Sequence, residues 1–467
     1  MRILFATSEA VPFWKTGGLA DVARALPDAL ADRGHDVLIV HPYYRMLRES
    51  PPPVEVVGVH RLPWPGGDMA VRYLEHRPQA GAPTLFVDQP YFFDVRDPYG
   101  ATRFDRAAAG RRFAFFGRAV AERARAWGAD VVHLNDWPTG LVPVYGQLDG
   151  IGAPTVFTIH NLAYQGNFPP ALLPEVGIPW EFFRVDRGVE FYGSASFLKA
   201  GLALSDRLNT VSPRYAEEIQ TPEYGAGFDG LLRHRSRDLH GILNGIDPQL
   251  WNPASDAAIP ARYDAEHVRH KERNREELLH ELGLDGRGPL FVMVTRLVHQ
   301  KGIDLVLAAL PELLRRGVRL AVLGDGEARY ERVLSDAVAA HPRRLAAFFR
   351  FDDRLARRMY AGADFFLMPS LFEPCGLGQM IAQRYGTPPV VRHTGGLVDT
   401  VEDGVTGYAF RTPAPESLVA AVERACAAWR APGWDALRRR CMMLDRSWRR
   451  SAALYEALYA EAAGRRG

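Results

Sequence analysis

Cysteine is scarce. Only Cys375, Cys426 and Cys441 occur in 467 residues, an odd and sparse set that excludes a disulfide framework and implies a reducing compartment. Charge of one sign is lacking too: 57 basic residues face 55 acidic ones, for a net +2. No overall field therefore recruits nucleic acid or an anionic membrane, and Arg438-Arg439-Arg440 and Arg449-Arg450 read as solvated helix faces. No apolar run approaches the ~20 residues of a membrane span. The first run, in "MRILFATSEA", meets Glu9 before it could form a signal-peptide core, so a cytoplasmic protein is expected. Finally, no His, Cys, Asp or Glu cluster has metal-ligand spacing, and no bound metal is expected.

What is present is an ordinary globular composition, 47% hydrophobic and 24% charged, in a chain longer than a single core usually supports. Short apolar runs alternate with helix-like stretches: 2–7, 36–42, 84–89, 130–136, 154–160 and 206–212, with segments such as 19–33 and 104–127 between them. Strand, helix, strand repetition predicts a parallel sheet covered by helices on both faces. A second series follows at 288–297, 318–326, 348–351, 363–370 and 388–396. The fold class is thus α/β, with two doubly wound Rossmann-like domains. The loop-like "HGILNGIDPQLWNPASD", 240–256, separates the series through Asn-Gly, Asp-Pro and Asn-Pro turns, placing domains at 1–241 and from 242 onwards. Ligands collect at the carboxyl ends of parallel strands, so two such domains facing each other would enclose a cleft.

Several stretches following these runs carry polar chemistry. "KTGGLAD", from Lys15, is echoed by "HTGGLVD", from His393. Paired glycines let a backbone turn sharply and approach a ligand closely. "GAGFDG", 225–230, has the spelling of a dinucleotide fingerprint but no buried strand before it, which argues for a glycine-rich loop. In "VTRLVHQKGID" Arg296 and Lys301 flank a strand-to-helix turn, where cations and helix-start amides can meet phosphate. In "SLFEPCGLGQM" Glu373 ends a strand and the amides of Cys375, Gly376 and Leu377 are expected to open a helix. Glutamate is a poor N-cap and an unfavourable neighbour for phosphate, so a role towards sugar hydroxyls fits it better. Asp136 in "HLNDWPTG" and His160 in "FTIHNLAYQG" likewise end buried runs and could line a cleft.

These residues carry a resemblance. "SEAVPFWKTGGLADV", "HLNDWPTG", "FTIHNLAYQG", "TVSPRYAEEIQTPEYGAGFDGLL", "GILNGIDPQLWNP", "TRLVHQKGIDL", "PSLFEPCGLGQM" and "RHTGGLVDTVEDGVTGYAF", in order and along nearly the whole chain, resemble the glycogen and starch synthase family of retaining glycosyltransferases. The resemblance implies the two-domain GT-B architecture and transfer of glucose from ADP-glucose to the non-reducing end of an α-1,4-glucan. It implies retention of configuration and no metal or other cofactor. It also implies a final helix, within 445–467, that crosses back from the second domain (242–444) to the first.

Matched residue by residue, Arg296 and Lys301 would neutralise the leaving diphosphate and Glu373 would hold glucose hydroxyls. Gly376 and Leu377, with Cys375, would present amides to the distal phosphate, and His160 would sit beside the reacting carbon. Asp136 and Asn161 match sugar-side residues. Lys15, Gly18 and Asp21 belong to the donor turn, Asn244 to the hinge loop, and Thr394 and Gly395 to the rim around the nucleotide. Two positions depart from related transferases. Ile381 stands where many carry a second glutamate, and Phe351 where a tyrosine is common, which leaves an adenine-stacking face without a hydroxyl. A UDP-glucose donor or another acceptor, and a non-catalytic glucan-binding protein, remain as alternatives. A nicotinamide dehydrogenase does not, because "ATSEAVPFWKTGG" is no fingerprint.

Overall fold

The structure, a computed structural model, describes residues 1–100, 103–150 and 152–464, with the backbone alone for 103–106. The chain divides into two compact units, Met1–Asn244 with Trp448–Gly467, and Gly245–Ser447. The changeovers thus fall three residues beyond the 241/242 and 444/445 boundaries read from the sequence.

The strands of the first unit are β1 (Arg2–Ala6), β2 (Asp36–Pro42), β3 (Glu55–Leu62), β4 (Met69–His76), β5 (Thr84–Asp88), β6 (Val131–Asn135), β7 (Thr155–Ile159), β8 (Asn167–Phe168), β9 (Glu190–Phe191), β10 (Ser194–Ser196), β11 (Arg207–Thr210) and β12 (Leu239–Gly241). Nine of them form one sheet in the order β12-β11-β7-β6-β1-β2-β5-β4-β3, and the short β8, β10 and β9 form another. The large sheet is not wholly parallel, as the sequence had suggested: β4 runs antiparallel to both β5 and β3. The cause is connection length. Six residues, 63–68, join β3 to β4, enough for a hairpin and too few for a parallel crossover.

Alternation of side chains along the strands gives this sheet two buried faces. Leu4, Leu134, Phe157 and Leu208 pack under the long helix Arg103–Trp127 and its neighbours. Ile3, Phe5, Val131 and Val156 pack with residues of the helices Gly18–Ala31 and Trp448–Gly464. The final helix is amphipathic about Trp448, Ala452, Tyr455, Tyr459 and Ala462, the i, i+4, i+7 spacing of a core-facing stripe.

In the second unit β13 (Leu290–Val294), β14 (Arg319–Leu323), β15 (Leu345–Phe348), β16 (Phe365–Met368), β17 (Pro389–Arg392) and β18 (Tyr408–Phe410) form a sheet in the order β15-β14-β13-β16-β17-β18. All five pairings are parallel. The run expected at 348–351 is displaced, because the paired residues are Leu345, Ala346, Ala347 and Phe348. Their apolar side chains fit the pleat, whereas Arg350 and Phe351 lie past its end.

Candidate active site

The first unit gathers its polar residues where β1, β6 and β7 end. β6 ends at Asn135, and the next residue, Asp136, has φ +55°, a conformation costly for a side chain other than glycine and frequent at functional positions. Asp136 Oδ1 accepts the backbone N–H of His160 at 2.8 Å and, at 3.5 Å, that of Asn161. Burial pushes its carboxyl up to about 7, against the lowering effect of those two N–H groups. Its neighbour Asn135 donates from Nδ2 to the Ala6 carbonyl (2.9 Å) and offers Oδ1 to His160 Nε2 (2.8 Å). The amide orientation therefore puts the imidazole proton on Nε2 and leaves Nδ1 an acceptor. Desolvation pushes His160 down to about 3, so the ring is neutral at physiological pH. Asn161 turns its Oδ1 to the N–H of Ala163 (3.1 Å), closing a local turn. Buried Asn244, at the unit's end, has no hydrogen-bond partner for Oδ1 among the described residues.

The 15–18 turn, expected from the resemblance to face the donor, is organised by Glu9, which the sequence reading passed over. Its carboxylate accepts the N–H of Thr16 (2.7 Å), the N–H of Gly17 (3.2 Å), the Thr16 hydroxyl (2.5 Å) and the Tyr99 hydroxyl (2.7 Å). The Thr16 and Gly17 amides are thus engaged by a buried carboxylate. Lys15 Nζ lies 2.7 Å from Asp21 Oδ1, one turn into the helix that Gly18 opens. The only sequence signal for Glu9 was an acidic residue just beyond a buried strand.

In the second unit Lys301 and Glu373 meet. Nζ and Oε2 are 2.6 Å apart and both side chains are largely buried, while the Ser370 hydroxyl donates to the same Oε2 at 2.9 Å. The turn bearing Glu373 is stitched to the turn bearing Lys301. The Leu371 N–H donates to the Gln300 carbonyl (2.8 Å) and Gln300 Nε2 to the Phe372 carbonyl (3.1 Å). Gly302, with φ +71°, has no room for a Cβ, which would fall 2.2 Å from the Pro369 carbonyl oxygen. Arg392, a further residue missed in the sequence, is buried and donates to the carbonyls of Ser370 and Leu371.

The helix expected at Cys375 begins instead at Gly378, with Leu377 as its N-cap. Gly376 takes φ +75°, and Gln379 Nε2 holds the carbonyls of Cys375 and Gly376 at 3.0 Å each. The left-handed turn at Gly376 delays the helix, so the amides of 375–377 lie before it. Against this turn rests the second Thr-Gly-Gly. The Gly396 N–H donates to the Glu373 carbonyl (3.0 Å), Gly395 takes φ +46°, and a Cβ on Gly396 would lie 2.4 Å from the Cys375 carbonyl oxygen. Thr394 is buried beside it. Arg296 stands exposed just past β13. Phe351 is 79% exposed, and Ile381 is buried in the helix Gly378–Arg384.

Three clusters are thus assembled: Asp136 with His160 and Asn161, Lys15 with Asp21, and Lys301 with Glu373. Residues 225–230 follow the helix Pro213–Glu218 and lead into Asp229–His234, the wrong context for a dinucleotide fingerprint. Among the described residues no group of three His, Cys, Asp or Glu could hold a metal ion, and no helix is long and apolar enough to cross a membrane.

Residues 2–234 match the family model of the starch synthase catalytic domain, and residues 274–438 that of glycosyl transferases group 1. The glycogen synthase of Anaeromyxobacter dehalogenans (strain 2CP-1 / ATCC BAA-258) is 48% identical over 476 residues, covering 98% of each chain. The chain belongs to the glycogen and starch synthase family. A second relative in the family, the glycogen synthase of Myxococcus xanthus (strain DK1622), is 46% identical over 472 residues, covering 98% of this chain and 99% of its own. Among solved structures, the catalytic domain of starch synthase IV from Arabidopsis thaliana, bound to ADP and acarbose, superposes with a TM-score of 0.90. It is 32% identical and covers 99% of both chains. The two Rossmann-like units are accordingly those of the GT-B glycosyltransferase fold that the glycogen and starch synthases share.

Proposed function

We propose that this chain elongates glycogen: it transfers glucose from ADP-glucose to the non-reducing end of an α-1,4-glucan with retention of configuration. The observation that carries this reading is end-to-end relationship, 48% identity over 98% of both chains, to a glycogen synthase. The ADP and acarbose held by the related starch synthase domain support an adenine nucleotide as the leaving group.

In this reaction the bond from the anomeric carbon to the diphosphate breaks and a bond to the acceptor 4-hydroxyl oxygen forms, while the hydroxyl proton passes to the departing phosphate. Charge develops on that phosphate, where fixed cations stabilise it most. Arg296 and Lys301 supply the cations. Lys301, shared with Glu373, orders the carboxylate that binds glucose hydroxyls. His160, neutral with a free Nδ1 lone pair, accepts a sugar hydroxyl proton in a hydrogen bond and does not serve as an acid. Asp136 holds the 160–161 backbone that presents it. Attack from the face of the departing phosphate retains configuration without an enzyme nucleophile, the rival being a carboxylate that forms a glycosyl-enzyme. The reaction needs no metal or other cofactor. Three unpaired, buried cysteines support a cytoplasmic setting.

The test supplies purified protein with glycogen and either ADP-glucose or UDP-glucose, and follows chain elongation and released nucleotide. Transfer from ADP-glucose is expected. Transfer from UDP-glucose alone would correct the donor, and glucan binding without transfer from either would replace catalysis by a binding role.

A further inference from the structure

The face of the first sheet covered by the final helix carries, among its apolar side chains, a line of polar ones. On β6, His133 and Asn135 are two residues apart and share a face. Thr158 on β7 and His160, the residue just after that strand, continue the same face, since Asn135 pairs with Thr158 and His133 with Val156. Asn209 on β11, paired with Thr158, extends the row. The protons of the His133–Thr158 link can be placed. The Thr158 hydroxyl donates to Asn209 Oδ1, so it accepts from His133 Nε2 at 2.6 Å. His133 Nδ1 is then an acceptor and takes the Tyr459 hydroxyl at 2.7 Å. At the other end Asn209 Nδ2 donates to the Tyr455 oxygen at 3.0 Å. His133, Thr158, Asn209, Tyr455 and Tyr459 are all fully buried.

Two side-chain rungs therefore leave β6: His133 to Thr158 on β7, and one step nearer the strand ends Asn135 to His160, just past β7. Only the second touches the candidate site. The first is closed by a tyrosine 326 positions along the chain, on a helix that follows the whole second unit. A buried polar network has one good arrangement when every member is satisfied, and removal of one donor leaves a buried acceptor unmatched.

We propose that the His133–Thr158 rung, completed by Tyr459 of the final helix, is a positioning device. It sets the lateral register of β6 and β7, and through it the placement of His160 and of the Asp136 turn. His133 and Tyr459 are positioning residues, acting through the Asn135–His160 rung. The final helix is thus part of the working site, and the first unit is incomplete until the end of the chain has docked. The proposal rests on the glucosyl-transfer reading for its kinetic readout.

Three variants test it. Tyr459→Phe keeps the ring and removes the donor, His133→Gln retains an acceptor and a donor on one side chain, and His133→Ala removes both. Leu458→Ala is the control, a cavity in the same helix at a buried apolar position with the network intact. Displaced reacting groups cost about ten- to a hundredfold in turnover. The expected result is a fall of that size in kcat for Tyr459→Phe and His133→Ala, with KM for ADP-glucose within about twofold of the parent. His133→Gln recovers part of the loss, and Leu458→Ala lowers Tm but leaves kcat near the parent value. If kcat follows Tm across all four variants, or if Tyr459→Phe turns over like the parent, the helix is merely structural and the proposal falls. Should the parent protein transfer no glucose, the functional reading fails instead. The rung is then read from the His160 side-chain nitrogen resonances, which Tyr459→Phe shifts if the coupling exists and leaves in place if it does not.

Discussion

Replacing Asp136 by asparagine separates what this side chain does for the fold from what it does for the reaction. The ordinary carboxyl value is 3.8 and burial raises that of Asp136 to about 7. Between those values the folded protein binds a proton that the unfolded chain has released, so stability falls as pH rises. The contribution is fully present below 3.8 and is lost once pH has passed about 7. At about 1.4 kcal/mol for each pH unit, ionising Asp136 inside the fold costs about 4 kcal/mol. Asparagine never ionises. Its Oδ1 can still accept the N–H groups of His160 and Asn161, and it tolerates positive φ better than most side chains.

Asp136→Asn should therefore be more stable than the parent, by a margin that grows by about 2 to 3 kcal/mol between pH 5 and pH 7.5. Urea unfolding followed through the fluorescence of the adjacent Trp137 measures it. Glucosyl transfer should fall by at least about a hundredfold in the same protein, since the asparagine keeps the backbone contacts but removes the negative charge that, beside His160, favours the positive charge developing at the anomeric carbon. A margin that does not change with pH would refute the reasoning, because Asp136 would then titrate alike in the folded and unfolded chains.

Other expectations follow from the same contacts. Lys301→Met leaves the Glu373 carboxylate buried with Ser370 as its remaining side-chain hydrogen-bond donor among the described residues and should cost about 3–5 kcal/mol in denaturant unfolding. Adding Glu373→Gln should restore most of that stability, with transfer abolished in both proteins. Glu9→Gln weakens four hydrogen bonds to the 15–17 turn and the Tyr99 hydroxyl, and should raise KM for ADP-glucose more than it lowers kcat in initial-rate measurements. Elongation assayed with excess chelator should match that without it, since no residue of the proposed mechanism holds a metal.

How far the sequence reveals such a site depends on how far away each partner lies. Arg296, Lys301, Asp136, His160 and Glu373 were legible because each follows an apolar run, and the end of a parallel strand is a local pattern. Glu9, Arg392, His133 and Tyr459 were not, because each owes its role to a partner brought in by folding. The β3–β4 hairpin escaped for a related reason: Gly58 and three exposed valines blur the alternation that marks a half-buried strand.

The doubled Thr-Gly-Gly-Leu shows the limit most directly, since identical spelling performs two different tasks. In both copies the first glycine caps a helix and the second opens it. A Cβ at Gly17 would meet nothing within 4 Å, whereas one at Gly396 would be driven into the backbone of Cys375. Gly396→Ala should therefore displace the Glu373 turn, destabilising the protein by about 1–3 kcal/mol and disabling transfer. Gly17→Ala should cost less than about 1 kcal/mol, and any loss of activity should appear in KM for the donor, because the space it fills is open to a ligand. Equal destabilisation by the two substitutions would mean that both glycines serve packing.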